Sequence, residues 1–123
     1  MNNTLKLLEA VKEGMIAKKA ENIVNINFEE TQNAITDYFL ICEADNAKQV
    51  VAISNSIEEF VLKLVKQKPI HTEGYENAEW IIQDYFDVVV HIFQKEFREN
   101  YKLEELWADA EQTKIDVKYS SID

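Results

Sequence analysis

Leu5, Leu8, Val11 and Met15 recur at three- and four-residue intervals, with Lys6, Glu9, Lys12 and Glu13 between them. This spacing predicts an amphipathic helix over residues 4–20, capped by Thr4. Gly14 falls inside it, and an interior glycine costs about 1 kcal/mol relative to alanine, so the helix needs a packed face to persist. Ile23, Val24, Ile26 and Phe28 form a short β-branched and aromatic run that reads as a strand. Residues 35–44 read as a second strand. Tyr38, Phe39, Leu40 and Ile41 are apolar on both of its faces, as in an inner strand covered from two sides. Asp45 or Asn46 can cap a long second helix, in which Val50, Ile53, Ile57, Phe60, Val61, Leu64 and Val65 repeat at three and four. Lys66 and Lys68 suit its C-terminus, and Pro69 enforces the stop.

Three short strands are expected next, over residues 69–73, 80–85 and 87–93. Only Phe86 separates the last two, which marks a hairpin. Phe97, Tyr101, Leu103, Leu106 and Trp107 belong to a final helical or irregular segment, after which apolar residues thin out. Residues 108–123 read as an acidic tail of low order. The pattern predicts an α/β (α+β layer) fold, one domain over residues 1–107 with a mixed five-stranded sheet flanked by helices.

Charge and composition narrow the function classes. The chain has 123 residues, 23 of them acidic and 13 basic, for a net charge of -10. Arg98 is the only arginine. Nucleic-acid affinity rests on cations set against phosphates, so direct nucleic-acid binding is not expected. Two stretches lack Lys and Arg altogether: one between Lys19 and Lys48, the other from Pro69 to Phe93. Such acidic stretches serve solubility, or they steer a basic partner. The two glycines, Gly14 and Gly74, are far apart, which excludes a Walker-type loop and a dinucleotide fingerprint. The longest apolar run, Tyr38 to Cys42, is far too short to span a membrane. With no targeting segment visible and a single cysteine, a cytoplasmic location is expected.

Few residues offer chemistry. His71 and His91 are the only histidines. Two histidines and a carboxylate can hold a metal, but no ligand spacing such as H-E-x-x-H is present, and His91 between Val90 and Ile92 reads as a covered structural side chain. Its expected partner is an acidic side chain of a neighbouring strand or a backbone carbonyl. Cys42 lies in an apolar strand with no basic neighbour and reads as core. None of Ser54, Ser56, Ser120 and Ser121 sits in a nucleophile elbow. Asp84 and Asp87 flank the hairpin and can be a carboxylate pair, although turns commonly use Asp to bond their own backbone. Trp80, Tyr85, Phe93, Phe97, Tyr101 and Trp107 gather in the last third of the chain. Trp and Tyr are enriched at protein interfaces, and an aromatic core is the equally open alternative.

Several segments together carry a resemblance. They are Thr36-Asp37-Tyr38-Phe39-Leu40-Ile41-Cys42, Lys48-Gln49-Val50, His71-Thr72-Glu73-Gly74, and Glu79-Trp80-Ile81-Ile82-Gln83-Asp84-Tyr85. Asp87-Val88-Val89-Val90-His91-Ile92-Phe93 follows, then Arg98-Glu99-Asn100-Tyr101-Lys102-Leu103-Glu104-Glu105-Leu106-Trp107. In this order and spacing, from Leu5 to Trp107, the chain resembles the ribosomal silencing factor (Iojap-like) family. The resemblance implies a non-catalytic translational repressor with no cofactor and no metal. Such a factor binds the large ribosomal subunit through its universal protein fourteen, blocks joining of the small subunit, and often forms a homodimer. It also implies a layer fold similar to that of the nucleotidyltransferases.

The partner-binding residues expected on this basis are Trp80, Tyr101, Leu106 and Trp107 as apolar anchors, with Asp84, Asp87 and Glu105 as charge complements. The chain departs from the family pattern in three turns. Phe86 stands where a Gly is common, Glu43-Ala44-Asp45-Asn46 replaces a Ser/Gly-rich turn, and Ala78-Glu79 replaces Gly-Glu. The alternative is a nucleotidyltransferase-like or metal-binding enzyme on the same fold. Against it, the chain has no Gly-Ser phosphate turn, and Asp37 lacks a second carboxylate two residues on.

Overall fold

All seven residues of strand β2 (Tyr38–Ala44) are buried, and the strand lies near the centre of a six-stranded sheet. The computed structural model describes residues 3–31 and 34–119. Helix α1 (Asn3–Ala17) is followed by β1 (Glu21–Asn27), β2, helix α2 (Ala47–Val65), β3 (His71–Glu73), β4 (Trp80–Asp84) and β5 (Val88–Gln94). Two short helices, α3 (Lys95–Tyr101) and α4 (Leu103–Leu106), lead into β6 (Glu111–Ile115). The sheet order is β3-β4-β5-β2-β1-β6. Only β2 and β5 pair in parallel, through the crossover that contains α2; the other neighbours are antiparallel.

The two faces of the sheet are covered differently. On one, α1 and α2 bury Leu7, Val11, Met15, Ile53, Ile57 and Val61 against Leu40, Ile81, Val90 and Ile92. Asn46 caps α2 by accepting the Gln49 N–H at 2.9 Å. Lys66 ends the helix in the left-handed region (φ 63), its N–H bonded to the carbonyls of Val61 and Leu62. On the other face, Ile26, Phe28, Phe39, Ile41 and Phe93 pack beneath Leu103, Trp107 and Ala110. Helices α3 and α4 are too short to close that face, and Lys102, at φ 45, breaks the segment in two.

Two expectations need correction. The sheet has six strands rather than five, and within the expected low-order tail residues 111–115 form β6, paired antiparallel with β1 from Ile23↔Ile115 to Asn27↔Glu111. Four of its five residues are exposed, so β6 carries no hydrophobic alternation for a sequence reading to detect. Its polar composition suits an edge strand. Its last residue, Ile115, and Val117 beyond it pack on the helix-side core, and the Tyr119 hydroxyl donates to the Ala20 carbonyl at 2.6 Å. Residues 120–123, which include Ser120 and Ser121, lie outside the described residues. The three departures from the family pattern keep local order: Ala78 (φ 53) and Phe86 (φ 77) adopt the left-handed backbone that glycine favours, and Asn46 caps α2.

Candidate protein-docking surface

Strand parity builds the surface. In β5, Val88, Val90 and Ile92 point to the helices, so Val89, His91 and Phe93 point to the thinly covered face. Register sets Trp80 opposite Phe93, Ile82 opposite His91, and Asp84 opposite Val89, which aligns Trp80, Ile82 and Asp84 on that same face. Trp80 stacks on Phe93 with ring centroids 5.0 Å apart. Helix α3 lays Tyr101 over both, 4.4 Å from Trp80 and 5.8 Å from Phe93. The ladder continues inward, because the Trp80 indole N–H donates to His91 Nδ1 at 3.0 Å and His91 lies 4.4 Å from Phe39. Phe39 and Phe28 then hold Trp107, at 6.2 and 5.1 Å.

His91 is covered, as expected, but its partner is an indole rather than a carboxylate or carbonyl. Since Nδ1 accepts, the proton of the neutral ring sits on Nε2, which is buried and meets no hydrogen-bond partner. Burial pulls the His91 pKa down from 6.5 to about 3. The folded chain therefore keeps this ring neutral where the unfolded chain protonates it, so its contribution to stability is intact above pH 6.5 and is lost as pH falls. Over that interval the wild type should lose stability relative to His91→Gln by up to about 1.4 kcal/mol per pH unit. Urea melts of both proteins at several pH values measure this, and parallel pH slopes would rule it out.

Arg98 fixes the helices over the aromatic face. Its guanidinium donates to Glu43 Oε1 at 3.0 Å, to Glu104 Oε1 at 2.6 Å, and to the Asn22 carbonyl at 2.7 Å. It thereby ties α3 to β1, β2 and α4.

The seven residues expected to bind a partner fall into separate groups. Trp80 and Tyr101 touch, and Trp107 joins them through Phe39 and His91, half-buried. Leu106 is 68 % exposed, consistent with an anchor awaiting a partner. Glu105 lines a groove of mixed charge, shared with Lys95, Lys102 and Lys114 and with Glu96, Glu99 and the Arg98–Glu43–Glu104 cluster. Asp84 and Asp87 lie at the opposite end of β4, about 13 Å from Trp80 at strand spacing. Asp84 Oδ1 accepts the Phe86 N–H at 2.8 Å, the turn role foreseen, while Asp87 Oδ2 accepts the Thr4 hydroxyl at 2.6 Å. Half-buried Ile82 and Val89 bridge the two ends. The sequence reading missed this pair, although alternation with Ile81 and Val90 signals it.

Burial pushes the Cys42 thiol up to about 12, far from a nucleophile at neutral pH. His71 is exposed beside Glu73, 3.5 Å away. Among the described residues no group of three or more His, Cys, Asp or Glu could hold a metal ion, and no helix is long and apolar enough to cross a membrane.

The domain is thus a mixed sheet with one half-open aromatic face. Comparison with known proteins gives the family. Residues 1–122 match the family described as ribosomal silencing factor during starvation. A ribosomal silencing factor of Halalkalibacterium halodurans is 38 % identical over 114 residues, 90 % of this chain and 93 % of that one. A crystal structure of a Bacillus halodurans protein superposes with a TM-score of 0.75 at 34 % identity, covering 92 % of this chain and 99 % of that one. A mouse protein named for mitochondrial assembly of the ribosomal large subunit is 30 % identical over 74 residues, 58 % of this chain and 32 % of that one. The chain belongs to the ribosomal silencing factor family.

Proposed function

We propose that this protein is a cytoplasmic translational repressor that docks on the large ribosomal subunit, through its universal protein fourteen, and sterically blocks the small subunit. The observation that carries this reading is the half-open face on which Tyr101 packs at a tilt against Trp80, with Ile82 and Val89 leading to Asp84 and Asp87. Packed aromatics at one end of a face and carboxylates at the other suit a basic protein surface: the rings supply affinity, and the charges speed encounter and reject misdocked poses against RNA phosphates. The name of the mouse relative points to the same subunit. Occlusion needs no chemistry, so the factor acts without catalysis, cofactor or metal. A homodimer formed through the same face would have to open before docking.

Co-sedimentation with isolated large subunits tests the proposal. Tyr101→Ala and Trp80→Ala should each weaken binding by about thirtyfold, the expectation for a truncated interface anchor. Melting curves must accompany them, because Trp80 also supports Phe93 and His91. Folded variants that bind as the wild type would assign the docking surface elsewhere. Added small subunits should displace the wild-type protein if occlusion is the mechanism.

A further inference from the structure

The hairpin between β4 and β5 turns at Phe86, which adopts φ 77. The Asp87 N–H bonds the Tyr85 carbonyl at 3.0 Å, so the turn is a γ-turn of the rare positive-φ kind, strained for any residue with a side chain. Three further contacts hold it. Asp84 Oδ1 takes the Phe86 N–H, the Thr36 hydroxyl donates to the Phe86 carbonyl at 2.8 Å, and the Tyr85 N–H bonds the Val88 carbonyl at 2.9 Å. The strained residue nevertheless carries a large aromatic ring that is 72 % exposed and belongs to neither core. A glycine here would remove the strain without loss of packing.

Phe86 does not project alone. Ile35, 80 % exposed, neighbours Thr36, which grips the turn. Ile70, 69 % exposed, bonds its N–H to the Asp84 carbonyl at 2.8 Å. Backbone bonds thus place three exposed apolar residues at one end of the sheet, the end that also carries Asp37, Asp84 and Asp87. This end continues the face that passes through Ile82 and Val89.

We infer that Phe86, flanked by Ile35 and Ile70, is a second anchor of the docking surface that inserts into an apolar socket on a basic ribosomal protein. The inference rests on the large-subunit reading above and extends its contact to the hairpin tip. The partner's chemistry follows from the tip itself. Apolar side chains on an end that also carries three acidic residues favour a socket rimmed by Lys or Arg and repel RNA phosphates.

Two variants separate the ring from the strain. Phe86→Gly removes both and should raise the melting temperature, whereas Phe86→Ala removes the ring and keeps the left-handed Cβ. Both should bind isolated large subunits about tenfold more weakly, one of them despite greater stability. Wild-type binding by both variants, with the wild type itself bound to subunits, would overturn the inference and leave the function intact. No binding by the wild type would overturn the functional reading and the inference with it. Phe86-dependent binding to naked ribosomal RNA would overturn the assignment to a protein socket. Phe86-dependent self-association, with subunit binding unchanged, would reassign the tip to contact between copies of this chain.

Discussion

Arg98→Ala is expected to destabilise the protein by about 3–5 kcal/mol, the largest loss for any single polar side chain here. Arg98 and Glu43 form an ion pair whose side chains are only 11 % and 7 % exposed. Removing the guanidinium leaves the Glu43 carboxylate buried on the sheet, with the Asn22 side-chain N–H at 2.8 Å as its remaining partner. A buried charge stripped of its counter-ion costs far more than the intact pair contributes. The paired change Arg98→Met with Glu43→Leu should therefore recover most of the loss, since it removes both charges at once. Chemical denaturation of the single and double variants measures this, and additive losses would show that the two side chains do not act as a pair. Arg98→Ala should also weaken subunit binding beyond its effect on stability, because it releases the helix that carries Tyr101.

Gly14→Ala should lower stability by about 2 kcal/mol and the melting temperature by roughly 8 °C, although helix propensity alone favours alanine by about 1 kcal/mol. The helices α1 and α2 cross at this glycine. An added Cβ would meet the Ile57 Cα at 2.6 Å and its N at 3.0 Å, both backbone atoms that cannot swing aside. The contact is also tied by the Ser56 hydroxyl, which donates to the Gly14 carbonyl at 2.9 Å. A variant as stable as the wild type would mean that α1 can shift outward without loss of packing.

Gly14 marks where sequence reading stops. Periodicity identified α1 and α2 and the face each buries, because those signals are local. It also treated Gly14 as a simple weakness, because the need for a missing side chain lies in a helix more than forty residues away. The central strands were legible for the same local reason: β2 and β5 are dense in β-branched and aromatic residues. Strand β6 was not, since an exposed edge strand is defined by its partner rather than by its own pattern.

The candidate surface divides similarly. The aromatic composition pointed to Trp80, Tyr101 and Trp107, and these do form one connected ladder. Register separates that ladder from Asp84 and Asp87 and places Ile82 and Val89 between them, a pair that strand alternation already signals. The covered state of His91 was readable from Val90 and Ile92. The indole of Trp80 as its partner was not, because the two residues meet across a strand pair.

Pairing of β6 with β1 joins nearly the last part of the chain to nearly the first, and this sets an order of assembly. The outer edge of β1 exposes unpaired N–H and C=O groups until residues 111–115 have been synthesised, so the sheet completes only after they emerge. Contacts of such long sequence separation form late and close slowly. A chain interrupted before residue 111 would retain both helices and the parallel pair of β2 and β5, yet present an open β1 edge to any neighbouring chain. Synthesis through residue 115 is thus a condition for the edge to be safe as well as for the sheet to be complete.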